Sequence, residues 1–234
     1  MILPVGKPTI EIAPLDGGGN KGAWTTIDIP VDGSTTLETE DGEKTEYLEE
    51  GGGLVDSYQK QSKYTLTFTL YAKKGTSKPI EDKNGVIKTN YAIRLSPEDP
   101  ECKGFIMHKC SVSCRETYSS ADGVRWEYSF SGLVGEDTSE ILDEYIRAYS
   151  FDMSVNFLSF GASDETAQTA TAEGLDTADT ITASTTSDWI TTSVSSQTVS
   201  ITVAQNTGAK RFGFVTIQDG DKSSTLKVIQ SAAS

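Results

Sequence analysis

The feature that most constrains the fold is the stretch Tyr64–Tyr71, Y-T-L-T-F-T-L-Y, in which large apolar residues alternate strictly with threonine. Alternation with a period of two is typical of a half-buried β-strand, because successive side chains of a strand point to opposite faces. Leu66, Phe68 and Leu70 would then lie on the buried face with Tyr64, while the threonines face solvent. We predict that this strand is the central strand of a first, antiparallel β-domain.

Further alternating runs in the first half of the chain predict other strands of the same sheet. The Asp122-Gly123 pair between the last two runs favours a hairpin turn. In the last run Trp126, Tyr128 and Phe130 share a face, which predicts an aromatic inner side for the sheet. The predicted strands are Thr9–Ala13, Trp24–Ile29, Tyr91–Leu95, Phe105–Thr117 and Val124–Leu133.

The segment Asp32–Gly53 differs from its surroundings because it is crowded with carboxylates and ends in three consecutive glycines. Such a composition predicts a long mobile loop or an extended hairpin. A solvated acidic loop without a special role is the alternative interpretation.

One helix is predicted, over Asp137–Tyr149. Asp137 followed by Glu140 resembles a capping box, in which each side chain satisfies a backbone N–H of the first turn. The apolar residues that follow recur at spacings of three and four, so they would form one stripe that covers a face of the sheet. These residues are Ile141, Leu142, Tyr145, Ile146 and Tyr149.

After Ser150 the chain becomes rich in Thr, Ser, Ala and Val, with few charges, which places a domain boundary near residue 150. About half a dozen short alternating runs over this region indicate an immunoglobulin-like β-sandwich. We therefore predict a mainly β protein: residues 1–150 form a β-sandwich or partial barrel with one helix, and residues 151–234 form an immunoglobulin-like sandwich. The predicted strands of the second domain are Val155–Phe160, Gln168–Ala172, Thr180–Ser184, Val199–Val203, Phe212–Ile217 and Thr225–Ile229.

The net charge of −14 argues against tight binding to nucleic acid, because no basic cluster is available to displace counterions. The N-terminus lacks the pattern of a signal peptide, and no apolar run is long enough for a membrane helix, so we expect no membrane partner. Three cysteines fit a reducing compartment better than a disulfide framework.

His108 is the only histidine, and with Cys102, Cys110 and Cys114 it raises the question of a zinc site. The pattern predicts that Ile106, His108, Cys110, Val112 and Cys114 share one strand face. A single strand cannot wrap a tetrahedral ion, since alternate residues are about 7 Å apart. We predict no metal and no cofactor.

No nucleophile elbow, phosphate-binding loop or dinucleotide fingerprint is present, so we expect no enzymatic activity. Trp24, Trp126 and Trp189 are candidate sugar-stacking platforms. In a β-sandwich, however, such a tryptophan more often packs in the core.

The second half of the chain resembles the BACON family of β-sandwich modules, which occur in gut Bacteroidetes and their phages. The resemblance rests on the order and spacing of Trp189, Asn206, Arg211 and Gln230 within the runs S-D-W-I, V-S-I-T-V-A-Q-N, R-F-G-F-V-T-I and T-L-K-V-I-Q. It implies a spacer or adhesion module, with carbohydrate or mucin as the ligand if one is bound.

The first half is similar to the major tail tube proteins of long-tailed phages. The likeness lies in the order of its parts: short N-terminal strands, the acidic-to-glycine loop of residues 33–57, the S-K-Y-T-L-T-F-T-L-Y strand and the G-V-R-W-E-Y-S-F-S-G strand. The resemblance implies a virion protein of a Bacteroidetes phage or prophage that assembles in the bacterial cytoplasm. Its subunits would form stacked, hexameric rings, contact other tail proteins and conduct DNA without specific binding.

In that family an additional immunoglobulin-like domain is commonly displayed outside the tube, which matches the order of domains predicted here. The alternative is a carbohydrate- or mucin-binding surface protein of a gut Bacteroidetes cell. The candidate residues of the assembly loop are Glu38, Glu40, Glu43, Glu46, Glu49, Glu50, Gly51, Gly52 and Gly53.

Overall fold

The computed structural model describes residues 6–136, 140–163, 166–176 and 179–233. Over these ranges the chain is mainly β, as predicted, and its strands form sheets of eight, four, four and two strands. The strands of the largest sheet are β1 Thr9–Pro14, β2 Thr25–Thr26, β3 Thr36–Glu40, β6 Lys63–Tyr71, β7 Tyr91–Ser96, β8 Gly104–Ser119, β9 Gly123–Gly132 and β10 Asp143–Tyr145. The two-stranded sheet consists of β4 Lys44–Leu48 and β5 Leu54–Gln59.

The largest sheet is antiparallel, with the strand order β2-β1-β7-β8-β9-β6-β3 and with β10 paired to β8. The segment that joins the edge strands β2 and β3 also bonds to the strand next to each of them. Ile27 N–H donates to Ile10 O on β1, and Val31 N–H donates to Thr69 O on β6. The buried side chains of the sheet form one core, and we call this unit the N-terminal barrel.

The alternation of Tyr64–Tyr71 is confirmed, because Leu66, Phe68 and Leu70 are all buried. The predicted aromatic interior is also present: the ring of Phe68 lies 5.6 Å from the rings of both Tyr128 and Phe130. The expectation that this strand is central is wrong, since β6 lies next to the edge strand β3 and β8 holds the middle of the sheet.

A β-bulge divides β8 into two halves with opposite alternation. Ile93 on β7 faces Met107, but Tyr91 faces Cys110, so β8 carries one extra residue opposite β7. Met107 and Cys110 consequently both face the barrel core. The predicted common face of β8 is therefore wrong: Cys110 lies inside, whereas His108 lines a groove that faces the C-terminal part of the chain.

The predicted helix over Asp137–Tyr149 is not formed by the residues that the structure describes. Asp137 and the two residues after it lie outside those ranges, Asp143–Tyr145 is strand β10, and Arg147–Tyr149 is a 3₁₀ turn. The upstream half of β8 has a free edge, and pairing β10 with it satisfies backbone groups of both strands. Tertiary pairing thus overrides the helical periodicity.

The C-terminal part consists of two packed four-stranded sheets, in the orders β11-β13-β16-β15 and β12-β18-β17-β14. Their inner faces share one core, which confirms the predicted β-sandwich. We call this unit the C-terminal sandwich. Two of its strands, Asp152–Met153 and Ile190–Ser195, are not among the predicted strands. The strands are β11 Asp152–Met153, β12 Phe157–Phe160, β13 Gln168–Glu173, β14 Thr182–Thr185, β15 Ile190–Ser195, β16 Thr198–Val203, β17 Arg211–Asp219 and β18 Lys222–Gln230.

The barrel and the sandwich meet around Arg94, which is only 8% exposed. Its Nε donates to Glu11 Oε2 at 2.8 Å, and its Nη1 donates to Asp152 Oδ1 of the sandwich at 2.8 Å. Its guanidinium carbon lies 4.2 Å from the ring centroid of Trp24 and 4.9 Å from that of Tyr145. Burial opposes the charge of Arg94, but the carboxylates of Glu11 and Asp152 outweigh burial and raise its pKa.

Two further contacts tie the same surfaces together, and we call the whole contact region the junction. Trp24 Nε1–H donates to Asp152 Oδ1 at 3.1 Å. The Asn156 side chain accepts from Lys21 N–H and donates to Gly19 O, each at 3.2 Å. The barrel and the sandwich are therefore joined by directional polar bonds as well as by the chain.

Candidate functional site

The acidic segment Asp32–Gly53, predicted as a loop or an extended hairpin, contains β3 of the largest sheet and then β4, which forms a hairpin with the strand that follows it, β5. Within the described residues this hairpin pairs with no other strand. We call residues 41–60 the arm. All residues of β4 and β5 are exposed. An isolated two-stranded sheet is marginally stable in water unless one of its faces packs against another element. The described residues provide no such element for the arm.

The arm exposes large apolar side chains on both of its faces. In the register of the hairpin, Tyr47 is opposite Asp56, and Leu48 is opposite Leu54. The register shifts between these two pairs, with Val55 as the extra residue of β5. Along β4, which has no extra residue, neighbours point to opposite faces, so Tyr47 and Leu48 occupy different faces. Exposure reaches 56% at Tyr47, 62% at Leu48, 58% at Leu54, 65% at Val55 and 60% at Tyr58.

This exposure is unfavourable for an isolated subunit. Transfer of a large apolar side chain from water into a packed environment yields about 1.5–3 kcal/mol. Exposed apolar surfaces with polar borders are typical of protein interaction sites. The arm therefore has the properties of a contact surface for another macromolecule.

The root and the tip of the arm both depend on glycine. At the root, a Cβ on Gly42 would lie 1.8 Å from Lys60 O, so no larger residue fits without moving the hairpin. At the tip, Gly51 and Gly52 have φ values of 108° and 87°, which L-residues rarely adopt. The tip is closed by Glu49 N–H, which donates to Gly53 O.

The predicted carboxylates occupy three parts of this region. Glu38 and Glu40 lie on β3, which pairs with β6 as part of the barrel rather than the arm. Glu43 and Glu46 lie near the root and form exposed ion pairs with Lys60 and Lys44, at 2.6 and 2.7 Å. Glu49, Glu50 and the three glycines form the tip. Whether these residues mediate assembly stays a prediction.

The apolar residues of the arm were not among the predicted site residues, although the sequence contains a signal for them. Tyr47-Leu48 and Leu54-Val55 stand on either side of the Glu49–Gly53 tip. Two apolar pairs that flank a glycine turn indicate a hairpin with an apolar end, a pattern that the surrounding carboxylates obscure.

The cysteines and the histidine do not converge. Cys110 and Cys114 are buried in the barrel core, and burial raises the pKa of both thiols. His108 lies on the other side of β8, with Nε2 3.1 Å from Asp143 Oδ2. Cys102 lies in the turn before β8. In the described ranges no three His, Cys, Asp or Glu side chains are grouped so that they could hold a metal ion.

The four residues that carry the resemblance of the C-terminal sandwich cluster at one end of it. Arg211 lies 4.4 Å from the ring of Trp189 and donates from Nε to Gln230 Oε1 at 2.9 Å. Gln230 is completely buried and donates to Ala204 O, while Asn206 donates to Ser231 O. Since buried polar groups require such partners, these side chains hold the sandwich together.

The three tryptophans are all engaged in structural contacts. Trp24 stacks against Arg94 at the junction, Trp189 stacks against Arg211, and Trp126 is buried and donates to Glu116 Oε2 at 3.1 Å.

Two neighbouring phenylalanines form an exposed aromatic patch in the described part of the sandwich. Phe212 and Phe214 on β17 are 63% and 42% exposed, with ring centroids 6.1 Å apart. Lys227 Nζ on the neighbouring strand lies 5.3 Å from the ring of Phe212.

No protein-family model matches this chain, and no curated protein matches it in sequence. The part of the chain that the structure describes contains no helix long and apolar enough to cross a membrane.

Proposed function

We propose that this protein is a structural subunit of the tail tube of a long-tailed phage or prophage. In this proposal the N-terminal barrel assembles with other copies into stacked rings that conduct DNA, and the C-terminal sandwich is displayed on the surface as a BACON-like module. The protein would assemble in the bacterial cytoplasm and remain in the virion tail, in contact with other tail proteins.

The observation that carries the proposal is the arm. A hairpin that exposes apolar side chains on both faces is suited to insertion between neighbouring subunits, where both faces become buried. The net charge of −14 supports the same function, because like-charge repulsion keeps DNA mobile inside a tube.

The test is the assembly state of the full chain as a function of concentration, measured by light scattering and negative-stain microscopy. We expect rings or tubes for the unmodified chain and their loss in the variant Leu48→Ser/Leu54→Ser. The matched control is Phe212→Ser, which removes an apolar side chain of similar exposure from the sandwich and should assemble normally. A chain that stays monomeric at every concentration would contradict the proposal.

A second candidate function, carbohydrate or mucin binding at the surface of a gut Bacteroidetes cell, is supported by the exposed pair Phe212 and Phe214. Aromatic rings stack on the apolar faces of sugar rings, and the strand register places polar partners on the same face. Thr216 is opposite Thr225, and Gln218 is opposite Ser223. Binding to mucin glycans that is lost in Phe212→Ser/Phe214→Ser and retained in Leu48→Ser/Leu54→Ser would favour this function.

A further inference from the structure

The two segments that flank β6 lie at opposite ends of the N-terminal barrel. The arm precedes Lys63, the first residue of the strand, and residues 72–90 follow Tyr71, the last. We call residues 72–90 the basic loop. Nine residues of strand separate the two segments by about 25–30 Å. A contact between the arm and the basic loop therefore requires two copies of the chain.

The arm and the basic loop carry opposite net charges. The arm contains six carboxylates and two lysines, which gives a net charge of −4. The basic loop contains five lysines and two carboxylates, which gives +3 within a chain whose net charge is −14. Four of the five lysines are exposed: Lys73, Lys74, Lys83 and Lys88. Lys73 already pairs with Asp28 at 2.9 Å, so Lys74, Lys83 and Lys88 are the lysines offered to a partner.

Apolar residues are exposed at the basic-loop end as well. Val86 in the loop is 57% exposed, and Tyr71 just before it is 42% exposed. Tyr118, which is 76% exposed, pairs with Val124, and Val124 O accepts from the first loop residue, Ala72. The arm and the basic-loop end therefore both expose apolar side chains, and the arm and the basic loop have net charges of opposite sign.

The geometry points to a head-to-tail interface in which the arm of one copy docks on the basic loop of a second copy. The apolar side chains of the arm contact Val86 and Tyr118 of that copy, and Glu49 and Glu50 at the tip face its lysines. This inference rests on the proposed function, since it names the partner surface of the assembly arm.

The arrangement accounts for stacking rather than for pairing into closed dimers. The two complementary surfaces differ, so each docking leaves one arm and one basic loop unused. Heterologous contacts form a closed ring when the rotation between copies closes and an open stack when it does not. Because the arm and the basic loop lie at opposite ends of the barrel, the contact adds copies along the barrel and favours the open stack. Because the charges are exposed, the contact should weaken as salt is added.

Charge reversal tests the inference. The arm variant is Glu49→Lys/Glu50→Lys, and the loop variant is Lys74→Glu/Lys83→Glu; all four side chains are exposed. Each variant alone opposes like charges at every contact, so we expect loss of the assemblies that the unmodified chain forms. In a stack where the two variants alternate, every contact is complementary, because the basic tip of one meets the reversed loop of the other and the acidic tip of the second meets the native loop of the first. We therefore expect the mixture to assemble. Circular dichroism and thermal unfolding of each variant control for folding.

The outcomes separate this inference from the proposed function. Rescue in the mixture, or in one chain that carries all four reversals, supports docking of the arm on the basic loop. The docking would be overturned if the unmodified chain assembles and the loop variant assembles equally well. It would also be overturned if both variants fail to assemble and mixing does not restore assembly. Either result would leave the tail tube proposal intact. Failure of the unmodified chain to assemble at any concentration would overturn both.

The occupant of the basic loop is identified independently by cross-linking. In assemblies of Leu48→Cys/Val86→Cys chains, we expect disulfide-linked oligomers that form in the presence of oxidant and disappear on reduction. Cross-links from Val86→Cys to a cysteine placed in the apolar N-terminal residues Met1–Val5 instead would overturn the arm as the occupant.

Discussion

At the junction between barrel and sandwich the charged side chain of Arg94 is buried, whereas on the arm five large apolar side chains are exposed. Each arrangement reverses the usual distribution of residue types between interior and surface. At the junction the reversal is compensated, because Glu11, Asp152 and two aromatic rings surround the guanidinium. On the arm the five side chains stay exposed among the residues that the structure describes.

The comparison teaches how an interface that is already occupied differs from one that is still open. At the junction, the buried charge of Arg94 in the barrel is neutralised in part by Asp152 of the sandwich, the second unit of the same chain. In the assembly that we propose, the arm shows the same disfavoured placement before a second copy covers it. Perturbing the junction should therefore destabilise the single chain, whereas perturbing the arm should affect association alone.

The largest effect is expected for Arg94→Met, which leaves Glu11 and Asp152 without their common cation. Removing one partner of a buried charge pair destabilises proteins by about 3 kcal/mol or more. For a chain of this length that corresponds to a decrease in Tm of about 6–12 °C. The matched control is Lys103→Met, which removes the exposed ion pair of Lys103 with Glu144 and should change the free energy of unfolding by less than about 1 kcal/mol.

An intermediate effect is expected for Trp24→Phe. The substitution retains a ring against Arg94 but removes the hydrogen bond from Trp24 Nε1 to Asp152. A net loss of about 1 kcal/mol follows from the loss of one such bond. A double-mutant cycle with Arg94→Met measures the coupling; additive effects would show that the two residues do not act together at the junction.

The smallest effect on stability is expected for Leu48→Ser/Leu54→Ser. Both side chains are exposed, so the free energy of unfolding of the monomer should change by less than about 0.5 kcal/mol. Chemical unfolding at concentrations below the onset of association measures this quantity. A larger loss would show that the arm is packed on its own chain and would remove the contrast with the junction.

Thiol labelling provides a second measure of the same contrast. Burial raises the pKa of Cys110, so at pH 8 its thiol stays protonated and unreactive until the barrel opens. We expect slow labelling of Cys110 in the unmodified chain and in the arm variant, and faster labelling in Arg94→Met. Mass spectrometry of labelled peptides distinguishes it from Cys102, which is partly exposed.

Local alternation predicted the strands well because burial on one face of a sheet imposes it directly, as at Leu66, Phe68 and Leu70. The helix prediction failed although Ile141, Leu142 and Tyr145 recur at helical spacing, because Asp143–Tyr145 pairs with β8 as a strand and Ile141 and Leu142 precede that strand. Whether a helix or a strand forms depends on the free edge of β8, a property of distant residues.

The candidate site was predictable in part. Composition located the arm and its glycine tip, but it directed attention to the carboxylates rather than to the apolar pairs beside them. The junction could not be predicted, because Arg94 and Asp152 are 58 residues apart and nothing in their local sequence marks them as partners. Single-residue shifts such as the bulge near His108 also leave no local signal.

That bulge lets both halves of β8 face the barrel core. Met107 upstream and Cys110 downstream both line the core, whereas Ile106 and His108 lie on the opposite face, along the groove toward the sandwich. Without the extra residue, strict alternation would put Cys110 on the same face as Ile106 and His108. One inserted residue therefore allows a single long strand to close the barrel interior on both sides of the bulge while its outer face meets the sandwich.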